Sequence, residues 1–155
     1  TRILIVEDEV TDAEGLKKII RGLGYEVAGH AVTAEDAVSK AMEVKPDLIL
    51  MDIMLKGDKT GIDAAQEIMR KNDIPVIYLT AYSDVGRLAS QSQETGSAAY
   101  IVKPVNISKL AACIKLILLK KMQEKFLEEK IKELEQEKNP EKRNELKRKV
   151  NDMKD

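Results

Sequence analysis

Residues 46–52 read Pro46-Asp47-Leu48-Ile49-Leu50-Met51-Asp52, so four consecutive apolar residues lie between two aspartates. A short, wholly apolar run that ends at a charged residue is typical of a strand buried on both faces. Similar runs occur at residues 3–6, which are followed by Glu7, and at residues 75–79, which are followed by Thr80. These runs predict a sheet that is covered on both sides.

Helical patterns lie between the apolar runs. Thr11-Asp12-Ala13-Glu14 has the form of a capping box and predicts that a first helix begins there. Thr33 is predicted to cap a second helix, and a third follows the polar loop after Asp52. A weaker pattern covers residues 85–95, and Asn106 is predicted to cap the last helix.

Two more strands are predicted at residues 25–32 and 98–102. Five strands that alternate with five helices indicate an α/β domain with a parallel sheet and right-handed crossovers. Ligands of open parallel sheets bind outside the carboxyl ends of the strands. The candidate site residues are therefore those that follow the strands, namely Glu7, Asp8, Glu9, Asp52, Thr80 and Lys103.

These residues have a common chemistry if the sheet brings them together. Glu7, Asp8 and Asp52 would form a group of carboxylates that must be protonated or bind a cation. An acidic pocket of oxygen ligands is what Mg²⁺ prefers. Lys103 would add a point charge and Thr80 a hydroxyl. A carboxylate nucleophile, a divalent metal, a cation and a hydroxyl are the parts needed to transfer a phosphoryl group onto an aspartate.

Over about residues 2–119 the chain resembles a response-regulator receiver domain of two-component signalling. Each motif is weak alone, but four in this order at the ends of strands 1, 3, 4 and 5 are specific. The motifs are Ile3-Leu4-Ile5-Val6-Glu7-Asp8-Glu9, Leu50-Met51-Asp52-Ile53-Met54-Leu55 with Gly61 beyond, Leu79-Thr80-Ala81, and Tyr100-Ile101-Val102-Lys103-Pro104.

The resemblance implies a flavodoxin-like, doubly wound, five-stranded parallel sheet with strand order 2-1-3-4-5. It implies that Asp52 is the phosphoacceptor and that Mg²⁺ is held by Glu7, Asp8, Asp52 and the backbone carbonyl of Met54. The phosphoryl donor would be a histidine kinase or a phosphotransfer protein. The domain would be a switch that catalyses only its own phosphoryl uptake and slow autodephosphorylation.

The resemblance also assigns roles around Asp52. Thr80 and Lys103 would stabilise the phosphoryl group, Thr80 would move toward it while Tyr100 turns inward, and the peptide bond before Pro104 would be cis. Met54 and Tyr82, each two residues past a site residue, would flank the phosphoryl group. Neither side chain can activate water, so we expect the phosphoaspartate to be long-lived.

The loop after Asp52 departs from the family pattern. Family members commonly have proline four residues after the phosphoacceptor and glycine eight after. Here Lys56 takes the first place and Gly61 follows nine residues after Asp52. The loop Lys56-Gly57-Asp58-Lys59-Thr60 is therefore expected to be one residue longer, which leaves the site residues in place.

Other interpretations remain open or are disfavoured. A flavodoxin would need a phosphate loop after strand 1 where this chain is acidic. A phosphatase of the haloacid dehalogenase type, a less favoured alternative, would need a second aspartate where Met54 stands. His30 is expected to be an edge or surface residue rather than a ligand. Cys113 is expected to be a small core residue rather than a nucleophile.

Charge divides the chain. Of all residues 34% are charged, but 22 of the 36 residues in 120–155 are charged, about 61%. We predict a receiver domain over 2–119 and an extended, charged C-terminal helix or linker over 120–155, with helix from Asn106 to Pro140 and a short helix through Leu146, Val150 and Met153. The heptad pattern is interrupted, so a coiled-coil homodimer, a solvated linker and a frayed tail all remain open.

Composition limits the classes further. The single cysteine excludes a disulfide framework and a multi-cysteine metal site and fits a reducing, cytoplasmic location. No apolar run is long enough to cross a membrane. With a net charge of −1 and five aromatic residues, direct nucleic-acid binding by this chain is not expected. The chain is either a stand-alone receiver that docks on an unknown output protein, or part of a longer hybrid kinase or multidomain regulator cut in its linker.

Overall fold

The computed structural model describes residues 1–95 and 99–154, in which five strands alternate with helices. The strands are β1 (Arg2–Val6), β2 (Glu26–Ala31), β3 (Leu48–Asp52), β4 (Val76–Thr80) and β5 (Ala99–Val102). The helices are α1 (Val10–Gly22), α2 (Ala34–Val44), α3 (Gly61–Lys71), α4 (Val85–Thr95), α5 (Ile107–Gln136) and α6 (Pro140–Lys154), with a 3₁₀ turn at Tyr82–Asp84 before α4. Of the strand predicted at residues 98–102, β5 covers Ala99–Val102, and Ala98 lies outside the described residues.

The five strands form one parallel sheet of order β2-β1-β3-β4-β5, which confirms the predicted doubly wound, flavodoxin-like fold. The order reverses between β1 and β3, where Val6 pairs with Met51. At the same edge of the sheet Asp52 pairs with Leu79 and Thr80 pairs with Val102. The carboxyl ends of four strands therefore meet at the place where open α/β sheets bind ligands.

Burial explains why the central strands read as continuous apolar runs. Every residue of β3 and β4 is buried, and Ile3, Leu50 and Tyr78 are completely so. On one face of the sheet the core continues into the apolar sides of α2 and α3. Each large side chain removed from water in this way stabilises the fold by about 1.5–3 kcal/mol.

Helix starts test the capping predictions. Thr33 accepts a hydrogen bond from the Asp36 N–H (3.1 Å), and Asn106 accepts one from the Lys109 N–H (3.0 Å), so both caps are confirmed. The predicted capping box at Thr11 is wrong. The chain enters α1 immediately after Glu9, whose carbonyl accepts from the Ala13 N–H (2.9 Å), so Thr11 already lies within the first turn.

A capping box that the sequence analysis did not identify lies at the start of α3. The Asp63 N–H donates to Thr60 Oγ1 (3.3 Å), and the Thr60 N–H donates to Asp63 Oδ2 (2.8 Å). This reciprocal pair satisfies two backbone donors at the helix terminus. It fixes the start of α3 directly after the polar loop that follows β3.

The chain divides into two compact units, Thr1–Ile114 and Lys115–Asp155. In the second unit α5 ends at Gln136, so the predicted continuation to Pro140 is wrong. Asn139 accepts a hydrogen bond from the Glu141 N–H (2.9 Å) and caps α6, with Pro140 at the first helical position, where a missing N–H costs nothing. Within this unit Met153 lines a cavity of about 790 Å³ together with Met122 and Phe126 of α5. The helices were also compared with what a membrane span needs. Among the residues described, no helix is both long enough and apolar enough to cross a membrane.

Candidate functional site at the carboxyl ends of the strands

Three predicted carboxylates meet at the edge of the sheet. Glu7 follows β1, Asp52 ends β3, and one oxygen each of Glu7, Asp8 and Asp52 lies within 4.8 Å of the others. Glu7 and Asp52 are buried, and Asp8 is half-buried. Glu9, the remaining acidic candidate, is exposed and is not one of the three grouped carboxylates. The pocket therefore brings three carboxyl groups together, two of which are buried.

Lys103 supplies the cation at this pocket. Its Nζ lies 2.9 Å from Asp52 Oδ2 and 3.3 Å from Glu7 Oε2. The Lys103 backbone N–H donates to the Thr80 carbonyl (2.8 Å). This hydrogen bond fixes the Lys103 backbone at the end of β4. The Lys103–Pro104 peptide bond is cis, in agreement with the resemblance.

Burial and crowding change the protonation of the pocket. Burial raises the pKa of Glu7 to about 7, and the hydrogen bond and charge of Asp52 act in the same direction. The Glu9 N–H and the Lys103 charge act in the opposite direction but do not offset this rise. Burial alone would lower the pKa of Lys103, but hydrogen bonds and charges from Asp52 and Glu7 raise it above its usual range. Lys103 is therefore charged, whereas Glu7 is only partly ionised near neutral pH.

The donor set fits Mg²⁺. The three side chains offer only carboxylate oxygens, and crowded carboxylates that hold a proton can exchange it for a divalent cation. The Met54 N–H donates to Asp52 Oδ1 (3.2 Å), so the Met54 backbone lies beside the Asp52 carboxylate. Glu7, Asp8 and Asp52 are thus grouped so that they could hold an ion, and the role expected for the Met54 carbonyl stays a prediction.

Gly61 supports Asp52 from behind, a role the sequence analysis did not assign. A Cβ added at Gly61 would lie 2.0 Å from the Asp52 carbonyl oxygen and 2.9 Å from Met51 Cγ. The Gly61 N–H donates to the Ile53 carbonyl (2.7 Å). The loop after β3 therefore returns to the strand end, where Gly61 lies against the backbone of Asp52. The capping signal at Thr60 was the sequence feature that could have indicated this contact.

Thr80 and Tyr100 lie on the adjacent strands β4 and β5. The Thr80 hydroxyl is completely buried and donates to the Ala81 carbonyl (3.0 Å). Tyr100 is 47% exposed. Thr80 is thus at the pocket with its hydroxyl turned toward the neighbouring backbone, and Tyr100 is turned outward.

Met54 and Tyr82 are both accessible, at 48% and 84% exposure. Met54 Sδ lies 3.3 Å from Nη1 of Arg87 on α4. Cys113, expected to be a small core residue, is half-buried on α5. Burial raises the pKa of its thiol, which keeps it a packing residue rather than a nucleophile.

His30 lies on the edge strand β2, as expected, and it does not belong to the cluster of possible metal ligands formed by Glu7, Asp8 and Asp52. Its ring nevertheless contacts the pocket from the side, because Nε2 lies 2.7 Å from the Glu7 backbone carbonyl oxygen. The sequence analysis missed this contact. Period-two patterning places a residue on a strand but does not indicate which backbone group its ring will reach.

An open cleft of about 460 Å³ leads to the pocket. Thr11, Asp12 and Leu16 of α1 line one side, and Pro104 and Val105 line the other, with Glu7 and Lys103 among its lining residues. The pocket is therefore open to solvent between the start of α1 and the segment after β5.

A family model for the response regulator receiver domain matches residues 3–115. The chain belongs to this family, whose members act in two-component signalling. The resemblance drawn from the strand-end motifs is thereby confirmed.

Known relatives extend this result. The chain is 41% identical over 115 residues to the transcriptional regulatory protein PdtaR of Mycobacterium tuberculosis, and the match covers 74% of this chain and 55% of PdtaR. It is 35% identical over 113 residues to the chemotaxis protein CheY of Thermotoga maritima, covering 73% of this chain and 93% of CheY. The chain thus spans about half the length of PdtaR but nearly all of the CheY relative.

Solved structures agree with the fold. The solution NMR structure of the PhyR receiver domain from Erythrobacter litoralis has a TM-score of 0.68 at 34% identity, covering 77% of this chain and 90% of that one. The crystal structure of the receiver domain of a modulated diguanylate cyclase from Desulfovibrio desulfuricans has a TM-score of 0.73 at 32% identity, covering 79% and 97%. Both neighbours are receiver domains, which agrees with the family assignment.

Proposed function

We propose that this chain is a phosphorylation-activated switch of a two-component phosphorelay, with Asp52 as the phosphoacceptor. The donor would be a histidine kinase or a phosphotransfer protein. The observation that carries the proposal is the position of the Asp52 carboxylate, within 4.8 Å of two other carboxylates and 2.9 Å from Lys103 Nζ. The proposed nucleophile, metal ligands and cation thus lie together at one edge of the sheet.

The residues suggest how transfer proceeds. A carboxylate oxygen of Asp52 forms a bond to phosphorus while the bond from phosphorus to the donor atom breaks. Because such transfer depends chiefly on position and charge, Lys103 contributes by neutralising charge on the phosphoryl oxygens. Bound Mg²⁺ would neutralise further charge, and Glu7, Asp8, Asp52 and the Met54 carbonyl would hold it.

The switch would use Thr80 and Tyr100. The Thr80 hydroxyl is bonded to the Ala81 carbonyl and would turn toward a phosphoryl group on Asp52. The space it leaves would accept Tyr100, whose side chain is now half-exposed on the neighbouring strand. The changed surface around β4 and β5 would then bind the unknown output protein.

The lifetime of the phosphoryl group would be long. Met54 and Tyr82 flank the strand ends, and neither carries a group that can activate water. The chain would therefore not act as an enzyme on external substrates beyond catalysing its own phosphoryl uptake and slow loss. The family match disfavours the haloacid dehalogenase alternative.

A second form of the proposal concerns the whole protein. The match covers 55% of PdtaR and 41% of PhyR of Methylorubrum extorquens, so this chain could be the receiver of a longer hybrid kinase or multidomain regulator. We propose that the receiver covers residues 2–119 and that 120–155 is a helical linker or a homodimer contact. Sedimentation of chains with and without residues 120–155 distinguishes these roles. A cytoplasmic location stays a prediction, based on the single cysteine.

The main test is labelling with acetyl phosphate and Mg²⁺. Asp52→Asn should lose the label, because an amide cannot accept the phosphoryl group. Asp58→Asn, in the exposed loop after β3, is the matched control and should be labelled at the wild-type rate. Equal labelling of Asp52→Asn and wild type would reject the proposal.

A further inference from the structure

We infer that His30 is a positioning residue for the acidic pocket, because its imidazole holds the peptide unit that joins Glu7 to Asp8. The inference rests on the proposed function, since it concerns the metal-binding step of the same site. It adds a residue from β2, the edge strand that contributes no carboxylate to the pocket.

The contact is direct. Nε2 of His30 lies 2.7 Å from the Glu7 carbonyl oxygen. A carbonyl oxygen can only accept, so Nε2 carries the proton and donates it. This distance is at the short end of the usual range for N–H···O bonds.

The place of this carbonyl explains why a side chain is needed. Pairing between β1 and β2 ends at Val6 and Ala31, and the Glu7 N–H donates to the Ala31 carbonyl (3.0 Å). The Glu7 carbonyl lies beyond this last pairing. His30 reaches forward along the strand and supplies the donor that the ladder no longer provides.

Holding this oxygen has consequences on both sides of the peptide bond. The peptide unit is planar, so fixing the Glu7 carbonyl also fixes the Asp8 N–H and limits where Asp8 Cα can lie. Glu7 and Asp8 supply two of the three grouped carboxylates. Rotation of this one unit would therefore move Asp8 relative to Asp52.

His30 is itself held by α2. Lys40 Nζ donates to the His30 carbonyl and lies 3.4 Å from Asp36 Oδ2. Asp36 Oδ2 also accepts from the Val32 N–H (3.3 Å), and the Asp36 N–H donates to Thr33 Oγ1 (3.1 Å). The first turns of α2 thus fix the end of β2, so the imidazole is already positioned for Glu7 before a metal binds.

Three variants test the hydrogen bond. His30→Leu removes the donor, His30→Gln replaces it with an amide N–H of similar reach, and His30→Asn shortens that reach by one methylene. Groups that orient metal ligands typically change metal affinity by about 10- to 100-fold when removed. We expect Leu and Asn to weaken Mg²⁺ binding at least about tenfold and Gln to stay near wild type.

The primary measurement is a Mg²⁺ titration of the full chain, followed by the amide chemical shifts of Asp8 and Met54. A parallel assay records the acetyl phosphate labelling rate against Mg²⁺ concentration. A positioning role raises the Mg²⁺ concentration at half-maximal rate and preserves the maximal rate. Ile20→Val, a buried change on α1, is the control for general destabilisation and should leave the Mg²⁺ affinity unchanged.

Weakened binding in Leu and Asn with rescue in Gln supports the inference. If Leu does not fold, the comparison of Gln with Asn decides. Wild-type Mg²⁺ affinity in His30→Leu or His30→Asn overturns the inference, and so do equal losses of affinity in His30→Gln and His30→Asn. The proposed function stays intact in these cases as long as Asp52 is still labelled. If the wild-type chain neither binds Mg²⁺ nor accepts the phosphoryl group, the proposed function fails.

Discussion

The ammonium of Lys103 lies 2.9 Å from Oδ2 of Asp52, although 51 positions separate the two residues in the chain. Their strands are not neighbours, because β4 lies between β3 and β5. The lysine side chain therefore reaches across the end of β4, where its own N–H is bonded to the Thr80 carbonyl. This contact couples the acceptor carboxylate to the strands that would carry the switch.

The Lys103 charge should be required for phosphoryl uptake. Lys103→Met removes the positive charge beside Asp52 and Glu7, so the charge on the phosphoryl oxygens is no longer neutralised by this residue. We expect labelling by acetyl phosphate to slow by about 100-fold. The rate is measured at saturating Mg²⁺. Lys109→Met, at an exposed position on α5, is the control and should match wild type. Wild-type rates in Lys103→Met would mean that charge neutralisation by this residue is not needed.

Glu7 should make stability depend on pH when no metal is present. Its pKa is about 7 in the folded chain against an ordinary value of 4.5, so the folded state binds the proton more tightly than the unfolded state. The resulting stability is fully present below about pH 4.5 and is lost as the pH rises toward about 7. Urea unfolding between pH 4.5 and 8 in the presence of a chelator measures it.

Two comparisons check that Glu7 causes this pH dependence of stability. Glu7→Gln cannot ionise and should lose this part of the pH dependence, so a curve that parallels wild type would assign it elsewhere. Mg²⁺ must displace the proton to bind, and its affinity for the wild-type chain should therefore rise with pH up to about 7.

Gly61 should tolerate no side chain. In Gly61→Ala the Cβ would overlap the Asp52 carbonyl, and we expect a loss of about 1–3 kcal/mol in the free energy of unfolding, together with slower labelling. Gly15→Ala provides a matched control, because a Cβ there meets nothing within 4 Å. In a helix this control should gain about 0.5–1 kcal/mol. Equal stabilities of the two variants would show that the loop moves aside without cost.

The lifetime prediction concerns Met54 and Tyr82. Introducing Met54→Asn and Tyr82→Glu places polar groups near the phosphoryl group that can position or activate water, and we expect the half-life of the phosphoaspartate to shorten by roughly tenfold. The half-life is followed after removal of the donor. An unchanged half-life in the double variant contradicts the assigned roles.

The fold was predictable where a run of apolar residues indicates a buried strand. The runs at residues 3–6 and 48–51 are apolar without interruption because β1 and β3 are covered on both faces, and their ends locate Glu7 and Asp52. The cap at Thr33 was predictable because its signal is local. The same local signal failed at Thr11, since the turn out of β1 brings the chain into α1 two positions earlier than the capping box implied.

Site features that depend on distant contacts were not predictable. The close approach of Gly61 to the Asp52 backbone depends on the path of the polar loop after β3. The His30 contact with Glu7 depends on strand register and on a side-chain rotamer. The direction of the Thr80 hydroxyl is likewise a rotamer choice, and composition and periodicity carry no information about it.

The most direct test of the central claim identifies the residue that carries the phosphoryl group. The chain is labelled with acetyl phosphate and Mg²⁺, the acyl phosphate is reduced with borohydride, and the proteolytic peptides are analysed by mass spectrometry. The account predicts homoserine at position 52 and unmodified carboxylates at Glu7 and Asp8. Reduction at any other residue, with Asp52 intact, would contradict it.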